Sequence, residues 1–490
     1  MKYLLILLTL TLSLPINAQT LTWSAEFPVT GGNNYNNVRP RIALTTGNTP
    51  IVMWGDDINS VVFTAKWNGS GFTTPVKIHS DSIDVFTSYW AGPEIDASGD
   101  TVFIGLDLLP DQFKGTYSIR STDGGLTFDD TVRIDNIGDS LAAYASVDIA
   151  NGGNPVFTYM RSGTVWMDYW KYTVVQSTDG GDTFEKDVQA GLLVTGEACD
   201  CCPATVKTEG QRQVLMFRNN DNNLRENWMV YSDDGGTSFI ASGLTDTTNW
   251  VVNQCPSYGP DFIISGNTLH STWLSRGVGG GVERIYVGSY DINTMKITFQ
   301  DTISSGDLPT ANFQRYSRMD GEGDLLGVVF QHISFGNADI LFASSTTGTA
   351  GLIDNFDSVN TATVGSQLSP DIAYADGTFH IVWQDEESGD VMYRNVSVPY
   401  TSIATIAQPG LKVTVSPNPF HEFAVMKINR GNTNPYSVEI YDASGRVVRN
   451  YPNQNSDQLV ITKSDLRAGM YFYKFISIEY IANGKFIISE

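Results

Sequence analysis

Apolar and polar positions alternate along most of this chain in short runs broken by Gly, Asn and Asp. Runs such as Thr49–Trp54, Gln213–Phe217, Asn267–Trp273 and Thr378–Trp383 read as half-buried or fully buried strands. Aligned on them, the chain makes seven passes, with first strands beginning near Val38, Ala91, Tyr144, Cys202, Tyr258, Arg315 and Leu368. The spacing of roughly 50 to 60 residues suits a four-stranded blade, so the pattern predicts an all-β, seven-bladed β-propeller. Six blades plus an inserted sheet is the alternative. The seventh pass stops after three strands, at Val391–Val396, and Leu21–Phe27 lacks a hairpin partner. That segment is expected to complete the last blade and leave no open edge.

One phrase recurs within the repeats: Ser121-Thr-Asp123-Gly-Gly125-Leu-Thr127-Phe128, Ser177-Thr-Asp179-Gly-Gly181-Asp-Thr183-Phe184, and the looser Ser232-Asp-Asp234-Gly-Gly236-Thr-Ser238-Phe239. Its chemistry is that of a turn: Asp bonds local amides, Gly takes positive φ, and the ring packs beneath. The phrase resembles the Asp-box (BNR) repeat of sialidase-like β-propellers. The resemblance implies that Asp123, Gly125, Asp179, Gly181, Asp234 and Gly236 are structural and lie on the face away from a functional site.

The ends of the chain read differently from its body. Met1 to Ala18 carries Lys2, an apolar core and a small-residue close, so residues 1–18 are expected to be a secretory signal peptide. Residues 19–400 then form the propeller and 401–410 an uncharged linker. Residues 411–490 hold Val413-Thr-Val-Ser416-Pro417-Asn418-Pro419-Phe420, Val438–Val448, Leu466–Tyr473 and Gly484–Ile488. This succession resembles the type A C-terminal sorting domain of the type IX secretion system. It implies a small Ig-like β-sandwich, a secreted or cell-surface location, and the secretion machinery as a partner.

Acidic residues outnumber basic ones 53 to 30, for a net charge of −23. That balance excludes a nucleic-acid partner on electrostatic grounds. From Gln408 to Glu490 nine Lys or Arg face seven Asp or Glu, so the negative charge belongs to the propeller. No segment after the signal peptide is apolar and long enough to be a transmembrane span.

In a propeller, the loops leading into each first strand and those joining second to third strands open on one face, where sites are found. That geometry places all four cysteines together: Cys199, Cys201 and Cys202 before the fourth blade, Cys255 before the fifth. One reading is disulfides, with Cys201 or Cys202 bridged to Cys255. The alternative is a thiolate site for Cu or Zn; no other motif asks for a cofactor, and the five histidines show no metal-ligand spacing. Ala198–Cys202, Phe217-Arg218-Asn219 and Cys255–Pro260 are also similar to a group of secreted bacterial propellers labelled sialidase-like, a label that implies no settled activity.

The same loops supply Arg161, Arg218, Arg225, Arg276 and Arg284 as ligand-binding candidates. A sialidase needs three arginines, a Tyr nucleophile with a Glu partner, and an acid; Arg41, Arg218, Arg276 and Tyr258 are the candidates for those roles. The family's Arg-Ile-Pro motif is not reproduced, because Arg39-Pro40-Arg41-Ile42-Ala43 lacks Pro after Ile, and no Glu partner follows Tyr258. The sequence therefore points to recognition of an extracellular glycan or glycoconjugate, with an exo-glycosidase and a metal-thiolate surface protein as alternatives.

Overall fold

The structure, a computed structural model, describes residues 21–399 and 412–489 apart from 33–35, 139, 151, 164–168, 305–311, 363, 430–434, 443–445, 465 and 478–480. The expected signal peptide and linker lie outside the described residues. The chain divides into two compact units, Met1–Tyr400 and Thr401–Glu490.

Among the described residues, the first unit holds seven antiparallel sheets. Their first strands are Asn37–Thr45, Glu94–Ser98, Leu141–Ile149, Thr205–Glu209, Asp261–Ser265, Phe313–Glu322 and Gln367–Ala375. Each of these packs against the next, and the last returns to the first, so the strands form a closed ring around a channel. The fold is a β-propeller. The chain's start closes it: Thr22–Trp23 pairs with Val391–Ser397 in the sheet begun by Gln367–Ala375, with Trp23 opposite Val396 and Phe27 opposite Tyr393.

Neighbouring sheets bury their apolar faces against each other rather than around one common core. Leu325, Val329 and Phe342 meet Phe379, Trp383 and Val396 across one such joint, and Val52 and Trp54 meet Val382 and Tyr393 across the next. This accounts for strands apolar on both sides, since each lies between two neighbours.

Nearer the channel, carboxylates cross the joints. The side chain of Asp96 accepts the amide of Ile149 at 2.8 Å, Asp148 that of Thr208 at 2.8 Å, and Asp261 that of Met319 at 2.9 Å. Asp320 takes Tyr374 at 2.7 Å and Asp371 takes Ile42 at 3.0 Å. In every case a carboxylate on one inner strand holds a backbone N–H of the next.

Four inner strands share an irregularity at their channel-mouth end. Register slips between Val38 and Arg41, Ala143 and Ser146, Arg315 and Arg318, and Leu368 and Asp371. Inside these bulges Arg39, Tyr144, Tyr316 and Ser369 hold φ of 53°, 63°, 52° and 50°. A β-bulge re-aims the residues that follow it, and non-glycine residues at positive φ are characteristic of functional positions.

The recurrent turns behave as their chemistry predicts. Asp123 Oδ1 accepts Leu126 N at 3.0 Å and Thr127 N at 2.9 Å, while Ser121 Oγ accepts Gly125 N at 2.9 Å. Asp179 and Asp234 repeat the arrangement with Thr183 and Ser238. Gly125 and Gly181 have φ of +87° and +92°, and a Cβ there would collide with Ile51 and Phe103. All three turns sit beside first-hairpin turns: Gly124 N bonds Asp100 O, Gly180 N bonds Asn154 Oδ1, and Gly235 N bonds Gln211 O. They therefore occupy the face opposite the cysteines.

The second unit is a sandwich. Lys412–Ser416, Phe423–Asn429 and Gln458–Thr462 form one sheet; Tyr436–Tyr441, Val447–Gln454, Gly469–Ser477 and Ile481–Ile488 form the other. Ala424, Met426, Val438, Ile440, Phe475 and Phe486 share its core.

Asp371 is 6% exposed, and its other oxygen accepts Arg318 Nε at 2.9 Å. Asp371→Ala should therefore cost about 3 kcal/mol by stranding a buried amide and a guanidinium; urea unfolding checks it, and an unchanged midpoint refutes the role of these crossings. Asp107 also crosses a joint, accepting Tyr144 N at 2.8 Å, and burial pushes its carboxyl up to about 8. A proton held in the fold but released on unfolding makes stability greatest below the unfolded pKa of about 4 and lost as pH rises through the folded value. Asp107→Asn should flatten that decline between pH 5 and 8 by about 1 kcal/mol per pH unit, read from midpoints across the range.

Candidate functional site

A cleft opens at the channel mouth, on the cysteine-bearing face. Tyr89, Trp90, Tyr258 and Tyr316 contribute its aromatic wall, and Arg39, Arg41, Glu94 and Arg318 its charged floor. Each wall residue comes from the start of an inner strand or the loop before it. Gly259 is required there because a Cβ would overlap the Pro203 carbonyl.

The floor is a closed ion network. Glu94 accepts from Arg39 Nη2, from Arg41 Nε at 3.0 Å and from Arg318 Nη2 at 2.6 Å. Arg318 also pairs with Asp371 at 2.9 Å. Burial alone would push Glu94 up, but the guanidinium groups of Arg318, Arg39 and Arg41 outweigh it and hold the carboxyl well below the usual range. Glu94 therefore stays ionised and is a poor proton donor. Among the described residues lining the cleft it is the one carboxylate.

On the wall, Tyr258 and Tyr316 meet edge to face with ring centroids 4.7 Å apart, and Arg315 lies over Tyr258 at 5.8 Å. Burial pushes both phenols up. They remain protonated, able to donate hydrogen bonds and offer ring faces.

Of the arginines and tyrosine expected from sequence, Arg41 and Tyr258 line the cleft; Arg161, Arg218, Arg225, Arg276 and Arg284 do not. These five, Arg218 and Arg276 among them, are engaged with other groups of the fold. Arg218 is fully buried and donates to three carbonyls, Tyr258 O at 3.1 Å, Arg225 O at 2.8 Å and Leu274 O at 2.7 Å. Arg225 is buried beside it and reaches toward Val252 O. Arg161 pairs with Asp187 and Arg276 with Glu283, each at 2.9 Å, while Arg284 bonds Asn312 O at 2.8 Å. Glu283 pairs with Arg315 at 2.5 Å, and Arg315 in turn lies over the Tyr258 ring.

Arg39, Glu94, Tyr316 and Arg318 were missed by sequence reasoning. Glu94 and Arg318 occupy the position of Arg41 in their own inner strands, just past a Gly-Pro step and a bulge, a match that only the strand register reveals.

The cysteines meet as expected. Cys201 and Cys255 are joined as a disulfide with Cα atoms 6.1 Å apart. Cys199 and Cys202 are free thiols, both buried, with sulfurs 2.7 Å apart. The cluster adjoins the cleft, since Trp90 packs on it and Pro203 and Ser257, each next to or two residues from a cysteine, line the cleft.

Comparison with known proteins separates the two units. Residues 414–489 match the secretion system C-terminal sorting domain. The second unit is therefore a sorting domain, and the protein is exported by type IX secretion to the cell surface or extracellular space. No curated protein matches the chain. Among solved structures, an ulvan lyase of polysaccharide lyase family PL25, bound to -[GlcA(1-4)Rha3S]-, shares 10% identity at a TM-score of 0.50 over 77% of this chain and 96% of its own. Trypanosoma rangeli sialidase with the inhibitor DANA shares 10% at 0.43 over 95% and 89%, and a protein of unknown function from Dyadobacter fermentans 12% at 0.43 over 77% and 99%. At such identities the likeness is one of fold. Among the described residues, no helix is long and apolar enough to cross a membrane.

A chain ending at Pro399 should keep the propeller's cooperative unfolding, because the second unit has its own core. In its native host it should fail to reach the surface; surface labelling equal to the full chain would refute the tail's role as the export signal.

Proposed function

We propose that the propeller is a surface-displayed recognition module that binds an extracellular glycan or glycoconjugate in the cleft at the channel mouth. The observation that carries this reading is the pairing of an aromatic wall with a floor whose charges are already matched. Trp90, Tyr258 and Tyr316 offer faces for the apolar side of a sugar ring, and the protonated phenols offer donors for its hydroxyls. The export signal supports a ligand found outside the cell.

An exo-glycosidase is less well supported. The sialidase-type route needs, besides a Tyr nucleophile, an acid that holds a proton near neutral pH, and Glu94, the carboxylate lining the cleft among the described residues, is kept ionised. A clamp for a substrate carboxylate is opposed too, because Glu94 and Asp371 already occupy Arg39, Arg41 and Arg318.

The test is glycan-array screening of the full chain followed by calorimetry on the best ligand. Tyr258→Ala and Trp90→Ala should each weaken binding about tenfold with unchanged fold. Release of free sugar by the wild type, abolished in Glu94→Gln, would replace the binding reading with hydrolysis.

A further inference from the structure

We propose that Cys199, Cys201, Cys202 and Cys255 are, in the reduced chain, a site for one thiophilic cation, Zn(II) or Cu(I). The four are all the cysteines the protein has, and two adjacent sheets bring them to one point. Sulfur of Cys201 lies 3.7 Å from that of Cys199 and 3.9 Å from that of Cys202, while Cys199 and Cys202 stand 2.7 Å apart and must separate for Cys202 to serve as the fourth ligand. A tetrahedral thiolate site with Zn–S of about 2.3 Å has edges of about 3.8 Å. Donor atoms of Cys199, Asp200, Cys201 and Cys255 all fall within 4.8 Å of one another.

Charge carries the argument further. Arg218 and Arg225 are buried against this cluster, and among the described residues neither has a carboxylate within ion-pair distance. Nη1 of Arg225 is buried without a hydrogen-bond partner. Asp246, also buried, acts on Arg218 and Glu197 on Arg225, but neither sits at ion-pair distance; two disulfides would add no negative charge here, whereas thiolates would. Zn(II) held by four thiolates carries a net charge of −2 and Cu(I) on two or three thiolates −1 or −2, so either complex is attracted by the two guanidinium groups.

The loading step balances. A dithiol gives two electrons and two protons to the Cys201–Cys255 disulfide and becomes a disulfide itself. The cation then displaces the thiol protons to solvent as the metal–sulfur bonds form. Because Pro203 and Ser257 line the cleft, a metal here would also fix the cleft's wall.

The experiment reduces the full-length protein anaerobically with dithiothreitol, removes the reductant, and offers Zn(II) and Cu(I) separately before gel filtration and elemental analysis. About one ion per chain should be retained from at least one of the two, and which one identifies the metal. Cys255 is exposed, so Cys255→Ser should fold; it should lower affinity at least about tenfold, as should Arg225→Met, which keeps every thiol. Co(II) offered in place of Zn(II) should give a thiolate-to-metal charge-transfer band in the wild type and lose it in Cys199→Ser. Retention of neither ion, or equal retention by wild type and Cys255→Ser, overturns the proposal. Glycan binding is a separate measurement and does not enter the outcome.

Discussion

Closing a ring of sheets requires polar links between strands that share no ladder. Apolar packing fills the joints, but it is non-directional and does not fix one inner strand's height against the next. The carboxylates that cross from Asp96, Asp107, Asp148, Asp261, Asp320 and Asp371 do. Each takes a backbone N–H that would otherwise face the channel unpaired. The cost is a channel crowded with acids. Lys207 sits 3.4 Å from Asp148, and Arg318 spans Asp371 and Glu94, because the ring needs counter-charge. Part of the chain's acidity is therefore architectural.

That origin changes how the cleft's arginines are understood. Counted by themselves, Arg39, Arg41 and Arg318 make a strong anion site. Counted with Glu94, Asp371 and the more distant Asp261, they form a neutral network of three cations and three anions. A neutral floor under aromatic walls favours uncharged, hydroxyl-rich ligands over anions, since an incoming carboxylate must displace one already in place.

What could be read from the sequence divides along range. Ser121, Asp123 and Gly125 satisfy each other within five residues, so the turn was visible as a phrase. First strands were placed within a few residues of where they lie, because each pass repeats one apolar rhythm. The bulges were not visible: a strand read as strict alternation assigns facing by parity, and the slip at Arg39 or Tyr316 shifts it. Arg318 and Glu94 meet from residues 224 positions apart, which no local window contains. Arg218 misled for a different reason. Its position at the end of a second strand suggested the open face, but three inward carbonyls claimed its guanidinium.

One of those carbonyls, that of Tyr258, belongs to the loop that carries Cys255, and the backbone of Arg218 itself bonds Cys199, so Arg218 ties the sulfur cluster and the cleft wall into one body. Cys199 N bonds Arg218 O at 2.9 Å, Tyr172 Oη bonds Cys202 O at 2.6 Å, and Arg218 Nε holds Tyr258 O. Any change in what the sulfurs hold therefore acts through backbone groups on the residue whose ring forms the wall. Rigid support of this kind is what a binding cleft built on loops lacks by default, since loops are the mobile part of a fold. The cysteine cluster and the buried arginines supply it where the channel mouth has no continuous sheet to do so.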